Sequence, residues 1–119
     1  MNPALPAFNL LVLLCMGHLI ADFGLQGDRM AREKCPGHDI TLWWGWWLSS
    51  HAAMHGLLVA LLTGLPLLGL AEWVVHAVID LAKCRRMFSL TIDQVLHLVC
   101  KLLWVAIAVH LQRVPAWLH

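Results

Sequence analysis

The sequence contains little charge. Only 13% of its 119 residues are Asp, Glu, Lys or Arg, whereas 61% are hydrophobic, and the mean hydropathy is +0.73. Soluble domains carry about 25% charged residues, so this composition argues against a soluble domain and indicates a lipid bilayer as the surrounding solvent. The net charge of +1 offers no polycationic surface, and we expect no nucleic-acid partner.

The chain also lacks paired cysteine motifs, and we expect no cleaved leader sequence. Its four cysteines (Cys15, Cys35, Cys84 and Cys100) form no C-x-x-C pair, so their spacing predicts neither a disulfide framework nor a thiolate metal site. We expect thiols in the membrane core and reduced thiols in loops. No Lys or Arg precedes the first apolar run, and no small-residue cleavage site follows it, which predicts a retained first span rather than a signal peptide.

Four long apolar stretches predict an all-α integral membrane four-helix bundle that forms one domain over residues 1–119. The predicted spans are residues 5–25, 48–63, 67–82 and 91–111. We expect Ser49 or Ser50 to cap the second helix and Thr91 to cap the fourth. The sequence is compatible with a monomer and with a homo-oligomer.

Basic residues in two loops predict the orientation of these spans. Six of them lie in the loops after the first and third spans: Arg29, Arg32, Lys34, Lys83, Arg85 and Arg86. Loops rich in Lys and Arg stay in the cytoplasm, so we expect both termini on the outside of the membrane. Arg113, near the C-terminus, opposes this orientation.

The apolar spans carry acids and histidines at a spacing of four residues. A charged side chain at the centre of a membrane helix costs about 2.5–3.5 kcal/mol even on the most permissive scale, so each one needs compensation. Steps of four return to nearly the same direction on a helix, and each set therefore shares one stripe. The sets are His18 with Asp22, His51 with His55, Glu72 with His76 and Asp80, and Asp93 with His97.

These nine groups are expected to face the bundle interior near its cytoplasmic end, as candidate metal ligands. Helical rise predicts an outer tier of Asp22, His51, Asp80 and Asp93 and an inner tier of His18, His55, His76 and His97, with Glu72 deeper. Imidazole and carboxylate groups suit a divalent metal, Zn²⁺ first, with Mn²⁺ or Fe²⁺ as alternatives. They could hold one ion with supporting partners, or two ions. Two other interpretations remain open: hydrogen bonds between helices, and a proton relay without metal.

Three strings resemble a known family. HLIADFGLQ (residues 18–26), HAVIDLAK (76–83) and DQVLH (93–97), with a histidine opening the second span, resemble a family of small bacterial and phage membrane proteins catalogued as domain of unknown function 3307. The resemblance covers most of the chain and, with the spans, implies a multi-pass protein of the bacterial inner membrane. The family name implies no activity, and His51 and Glu72 have no place in its pattern. The positions that match it are His18, Asp22, Gln26, His55, His76, Asp80, Lys83, Asp93, Gln94 and His97.

We therefore predict a metal-dependent membrane hydrolase with its site at the cytoplasmic leaflet. A bound ion would activate water and polarise the scissile group. Asp80 or Asp93 is the expected general base, and Lys83 the expected anchor for a phosphate or carboxylate. Lipids or other amphiphiles are the expected substrates, because the site would open near the headgroups. The alternatives are an ion or proton transporter or channel subunit, which the scarcity of polar side chains in the outer half of the spans disfavours, and a structural or regulatory membrane protein stapled by metal.

Overall fold

The computed structural model describes residues 4–119, and every regular element within them is helical. The all-α class is therefore confirmed. Four long helices dominate the structure, and shorter helical segments extend or connect them. The elements are α1 (Ala4–Leu19), which continues into a π-helical turn (Ile20–Gly24), α2 (Asp28–Glu33), α3 (Trp44–Thr63), α4 (Pro66–Cys84), α5 (Leu90–His110) and a 3₁₀ turn (Ala116–Leu118).

The long helices form an elongated bundle that measures 52 × 23 × 22 Å. Helix α1 packs against α3 and α5, and α4 packs against the same two helices, so the four close a ring. The short α2 lies against α3. Each long helix therefore presents one stripe of side chains to a shared interior.

Helices α3 and α4 form a tight hairpin. Gly64 adopts a φ of 70° at the end of α3, and Pro66 begins α4, where its missing N–H costs no helical hydrogen bond. The two backbones touch where Gly56 faces Gly69, because a Cβ built on Gly69 would lie only 2.6 Å from the carbonyl oxygen of Gly56. Two glycines thus bring the polar stripes of α3 and α4 close together.

Helix α3 begins earlier than the predicted span. It starts at Trp44 rather than near residue 48, so Ser49 and Ser50 lie inside the helix and the prediction that one of them caps it is wrong. The additional turn buries Gly45 and Leu48 in the bundle. Packing therefore extends the helix beyond its expected polar start.

Helix α5 also has a different cap from the one expected. The Ser89 hydroxyl accepts a hydrogen bond from the backbone N–H of Ile92 at 3.3 Å, whereas Thr91 lies in the first helical turn. The prediction of a Thr91 cap is wrong by two residues. Ser89 has the extended backbone that an N-cap residue adopts.

The bundle buries many polar side chains and exposes many large apolar ones. Among residues 4–119, twelve polar or charged side chains are buried, against eleven hydrophobic ones. Phe8, Leu61 and Val78 are each more than 60% exposed. Among the described helical segments, Ala4–Gly24 and Leu90–His110 are long and apolar enough to cross a membrane.

The interior is divided along its length. One half contains the nine histidines and acids of the predicted site, and the other is an apolar core near the 3₁₀ turn and the α3–α4 turn. That core consists of Leu10, Leu14, Val59, Leu68, Trp104, Val105, Ala108 and Leu118. The polar half therefore opens at one end of the bundle only, on the side of α2.

A disulfide joins Cys35 to Cys84 at the polar end. The prediction that the cysteines form no disulfide is wrong for this pair, whereas Cys15 and Cys100 are free and half-buried. The two bonded residues are 49 positions apart, with Cα atoms separated by 5.4 Å. Local spacing rules do not detect such a pair, because tertiary packing of the segment after α2 against the end of α4 creates the proximity.

Glu33 anchors the loop between α2 and α3. Its Oε1 accepts hydrogen bonds from the backbone N–H groups of Thr41 at 2.5 Å and Ile40 at 2.6 Å. The Thr41 hydroxyl donates a third at 3.0 Å. These bonds, led by that from the Thr41 N–H, hold the pKa of the Glu33 carboxyl below its ordinary value.

Candidate metal centre

The site is built around Asp22, which lies in the π-helical turn that extends α1. A hydrogen bond from the Leu25 N–H to the Ile20 carbonyl oxygen, at 2.8 Å, closes this five-residue turn. Such insertions shift side chains relative to a regular α-helix and recur at functional sites. The Gln26 amide donates to the Asp22 carbonyl oxygen at 3.2 Å. The Asp22 carboxylate is buried between the helices.

Three histidines surround one oxygen of Asp22. The Nε2 atoms of His51 and His55 each lie 3.1 Å from Asp22 Oδ1, and that of His76 lies 3.7 Å away. The Nε2 atoms of His51 and His76 are 3.3 Å apart. Ligand atoms about 2.0–2.1 Å from a tetrahedral Zn²⁺ are separated by about 3.3–3.4 Å, so these spacings are those of a four-ligand site. The structure brings Asp22, His51, His55 and His76 together as one potential metal-binding group.

Glu72 lies behind His76 rather than among these four atoms. Its Oε1 is 3.2 Å from His76 Nδ1, on the side of the ring that faces away from Asp22. The same carboxylate accepts hydrogen bonds from Lys101 Nζ and Trp104 Nε1, both at 2.6 Å. Glu72 is therefore outside the group formed by these four atoms, and its role as a ligand stays a prediction. A carboxylate in this position orients an imidazole and raises its basicity.

A second set of groups lies beside the first. Asp80 Oδ1 is 3.1 Å from His97 Nε2, while Asp80 Oδ2 accepts a hydrogen bond from Lys34 Nζ at 2.7 Å. Asp93 Oδ1 lies 3.5 Å from the same His97 nitrogen. Among residues 4–119, no group donates a hydrogen bond to this buried oxygen. Asp22, Asp93 and His97 form a further potential metal-binding group, as do His18, His76 and His97.

Gln94 connects the two sets. Its Nε2 donates to Asp22 Oδ2 at 2.7 Å and to Asp93 Oδ2 at 3.1 Å. Its Oε1 is 2.9 Å from His18 Nε2. One amide thus positions two carboxylates and one imidazole, which leaves the other oxygen of each acid directed at the histidine cluster.

Three acids of the cluster form the floor of a cavity of about 650 Å³. Asp22, Asp80 and Asp93 line it from below, and Lys83, half-buried at the end of α4, lines its wall. The segment from α2 to Thr41 forms the opposite wall. The buried acids are therefore accessible from the polar end of the bundle.

All nine predicted ligands are buried in this one half of the bundle. The predicted separation into two tiers is not observed, because Asp22 Oδ1 is equally distant from His51 and His55, which lie one turn apart. Lys83 lies on the cavity wall. Among the described residues, its side chain forms no ion pair with an acid.

Lys34, Lys101 and Trp104 contribute to the site but were not predicted. Lys101 continues the stripe of Asp93 and His97 by a further four residues, so the same spacing could have identified it. Lys34 was interpreted only as an orientation signal. Nothing in its local sequence indicates that it reaches Asp80, which is 46 positions away.

Comparisons with known proteins identify a family but no activity. Neither a curated protein nor a solved structure matches the chain. The family described as "Protein of unknown function (DUF3307)" matches residues 10–118, a range that includes the whole histidine and carboxylate cluster. The resemblance carried by the three sequence strings is confirmed, and the chain belongs to this family.

Proposed function

We propose that this protein is a multi-pass membrane hydrolase that uses a divalent metal ion, Zn²⁺ first, at one end of a four-helix bundle. Lipids or other amphiphiles are the proposed substrates. The observation that carries the proposal is the buried set of Asp22, His51, His55 and His76, whose ligand atoms are spaced as in a tetrahedral site. Asp22, a member of this set, also lines an open cavity. His55 Nε2 lies 3.1 Å from Asp22 Oδ1. Among residues 4–119, however, this nitrogen forms no hydrogen bond of acceptable geometry.

The distribution of side chains supports a membrane setting. Helix α5 has 21 residues and is therefore about 31 Å long, which is close to the roughly 30 Å of a bilayer's hydrocarbon core. Contiguous exposed apolar surface is rare on monomeric soluble proteins. Helices α3 and α4 carry more polar residues, but those with charge or imidazole at the site, such as His51 and His76, point inward.

Asp93 is the best placed general base. Lys34 and His97 occupy the two oxygens of Asp80, whereas Asp93 Oδ1 has no donor in the described part of the chain and adjoins the cavity. A bound ion would lower the pKa of a water molecule and polarise the scissile group. Asp93 would accept the proton of that water as its oxygen bonds to the substrate, and the alcohol would leave with a proton.

The apolar core favours a hydrolase over a transporter. A path through the membrane would need polar groups beyond Glu72 and Lys101, but Leu14, Val59 and Leu68 fill the bundle there. Thr63, which is buried in that half, donates its hydroxyl proton to the Val59 carbonyl at 2.6 Å. The polar site is thus closed on one side.

Metal content by elemental mass spectrometry tests the proposal directly. The protein would be purified in detergent without a histidine tag, beside His55→Ala/His76→Ala and the matched control His110→Ala/His119→Ala, which changes two exposed histidines at the other end. We expect one or two ions per chain in the wild type and the control, and loss of metal in the cluster variant. A folded wild type without metal would refute the proposal.

Activity separates the hydrolase from the two alternatives. We expect metal-loaded protein to hydrolyse ester-bearing or phosphoester-bearing amphiphiles, with kcat reduced about 100-fold or more by Asp93→Asn. Asp39→Asn, in the exposed loop, is the control. Chelation that unfolds the protein, together with no hydrolysis of any amphiphile tested, would favour a structural metal. Ion flux in proteoliposomes that His76→Ala abolishes would favour transport.

We also propose that both basic loops face the cytoplasm of a bacterial inner membrane, with both termini outside. The bond between Cys35 and Cys84 links these loops and is consistent with their location on one side. Cytoplasmic thiols are kept reduced, so in this orientation we expect the bond between Cys35 and Cys84 to be reducible. A C-terminal reporter active only outside the membrane supports this orientation. A reporter active in the cytoplasm would reverse it and make the disulfide a permanent bond in an oxidising compartment.

A further inference from the structure

We propose that the substrate carries a phosphate monoester headgroup on an acyl chain, and that it enters the cavity sideways from the lipid between Phe23 and Leu90. The hydrolytic step rests on the proposed function, but the binding site does not, because it is formed by residues outside the candidate metal ligands. Three features of the cavity support the proposal: the charge of its wall, the backbone conformation of Arg86, and two exposed apolar side chains between α1 and α5.

The wall of the cavity carries cations that have no carboxylate partner. Two cations of the wall are paired. Arg29 lies 3.7 Å from Glu33, and Lys34 lies 2.7 Å from Asp80. Arg32, Lys83 and Arg86 also line the cavity, and none of the three has a carboxylate oxygen within 4 Å in the part of the chain that the structure describes. Three unpaired cations above a floor of acids form a site for a dianion that also approaches a metal ion.

Arg86 occupies a position where glycine is favoured. Helix α4 ends with hydrogen bonds from the Arg86 N–H to the Lys83 carbonyl at 2.9 Å and from the Met87 N–H to the Ala82 carbonyl at 3.2 Å. This pattern ends in a left-handed residue, usually glycine, and Arg86 adopts a φ of 57°. Arg86 thus adopts a backbone conformation that glycine would adopt at lower cost, and its side chain lines the cavity, which points to a role for the guanidinium group there.

Two apolar side chains line the cavity and are also exposed on the outside of the bundle. Phe23, in the π-helical turn, is 60% exposed, and Leu90, at the start of α5, is 52% exposed. Both also line the cavity, together with Gln26 and Gln94. Helices α1 and α5 are neighbours, so the two apolar side chains flank one opening. A headgroup can bind inside while its acyl chain leaves between Phe23 and Leu90.

The size and depth of the cavity fit this arrangement. A volume of about 650 Å³ is in the range of small-molecule sites and accommodates a phosphate with the glycerol attached to it. The phosphorus would then lie between the cationic wall and Asp93. In hydrolysis the water oxygen bonds to phosphorus, the ester P–O bond breaks, and the lipid alcohol leaves with a proton while inorganic phosphate remains.

Equilibrium binding in detergent tests the headgroup site. The probe is radiolabelled dioctanoyl phosphatidic acid, and dioctanoyl glycerol, which has the same tails without phosphate, is the reference ligand. We expect Arg32→Gln/Lys83→Gln to bind phosphatidic acid at least about 10-fold more weakly, with dioctanoyl glycerol binding unchanged. Arg113→Gln, at the other end of the bundle, is the matched control and should bind like the wild type. Equal affinity in wild type and the double variant would overturn the proposal.

Arg86→Gly separates binding from folding. Because glycine relieves the left-handed backbone, this variant should have a Tm equal to or above that of the wild type, yet bind phosphatidic acid more weakly. Unchanged binding would show that Arg86 is an orientation signal only, and would overturn its place in the site.

The lateral entry is tested by obstructing the opening between Phe23 and Leu90. Leu90→Trp should slow phosphatidic acid binding and leave the affinity for inorganic phosphate unchanged, whereas Leu103→Trp, exposed elsewhere on α5, should change neither. If inorganic phosphate binds as tightly as phosphatidic acid and Leu90→Trp has no effect, the site binds free phosphate. That result would refute a lipid as its ligand. Phosphatidic acid that binds tightly but is never hydrolysed would refute the hydrolase and leave this site standing.

Discussion

Glu72→Gln is expected to weaken metal binding without removing any of the four atoms that face the proposed ion. In the wild type, Glu72 Oε1 lies 3.2 Å from His76 Nδ1. A carboxylate behind a ligating imidazole fixes the ring and raises its basicity. Loss of such a partner typically lowers metal affinity 10–100-fold, or about 1.4–2.7 kcal/mol. His76, one of four proposed ligands, loses this partner in the variant.

The same substitution also affects stability, through Lys101. Both Glu72 and Lys101 are 1% exposed, and their charged atoms are 2.6 Å apart. Breaking a buried ion pair by removing one partner costs about 3–5 kcal/mol, because the other charge stays buried. Glu72→Gln/Lys101→Met removes both charges and should recover most of that stability. It should not recover the metal affinity, since His76 Nδ1 still has no carboxylate.

The assay is a zinc titration in detergent against a chelating indicator, with Tm measured on the same samples. We expect Glu72→Gln to lower both quantities, and Glu72→Gln/Lys101→Met to lower only the affinity. Glu33→Gln is the matched control, because this buried glutamate binds the α2–α3 loop rather than the cluster, and its zinc affinity should equal that of the wild type. If the double variant binds zinc as tightly as the wild type, Glu72 serves only to neutralise Lys101 and the reasoning is wrong.

Three other predictions concern the scaffold. Reduction of the Cys35–Cys84 bond should lower the Tm, since closing a loop across 49 positions contributes about 4 kcal/mol in the chain-entropy treatment; an unchanged Tm would count against the bond. Glu33→Gln should speed hydrogen exchange of the Thr41 amide at pH 7. Because the pKa of the Glu33 carboxyl is lowered in the folded state, the ionised carboxylate stabilises the loop above about pH 4.5. The difference in exchange rate between the variant and the wild type should therefore shrink as the pH falls through the folded-state pKa. A difference that stays constant with pH would refute this direction of the pH dependence. Gly69→Ala should destabilise by about 1–3 kcal/mol, whereas Gly27→Ala, with open space around its Cβ, should be neutral in the same thermal assay.

The position of the proposed ion explains why so many polar groups can occupy an apolar bundle. The Gln94 amide donates hydrogen bonds to both Asp22 and Asp93, and Glu72 has three partners. Most of the buried polar atoms of these residues are thereby satisfied within the bundle. Asp93 Oδ1 and His55 Nε2, which lack such bonds among the described residues, face the site itself.

The spacing of polar residues determined the stripes of the site. His76 and Asp80 must share a face because they lie four apart in one helix, and Asp93 and His97 do so for the same reason. Helical periodicity is local, so the sequence alone was sufficient. The same spacing of four also places Lys101 on the face of Asp93 and His97.

Helix ends were less predictable than helices. Ser49 and Ser50 are good cap residues, but burial of Leu48 extends α3 to Trp44. Ser89 rather than Thr91 caps α5, because both residues have suitable hydroxyl groups and only the backbone distinguishes them. Packing energy over one turn exceeds the roughly 1 kcal/mol that a cap contributes.

The sequence by itself determined the helical class, the family and the nine inward-facing groups, since composition, local motifs and a spacing of four need no knowledge of the fold. Only the tertiary structure decided that Glu72 supports His76, that Lys34 pairs with Asp80 and that Cys35 bonds to Cys84. The last two contacts join residues at least 46 positions apart, and the first depends on which nitrogen of the imidazole faces Asp22. The physical reason is that helical periodicity fixes the direction of a side chain about its own axis, whereas the packing of helices against one another fixes which atoms meet.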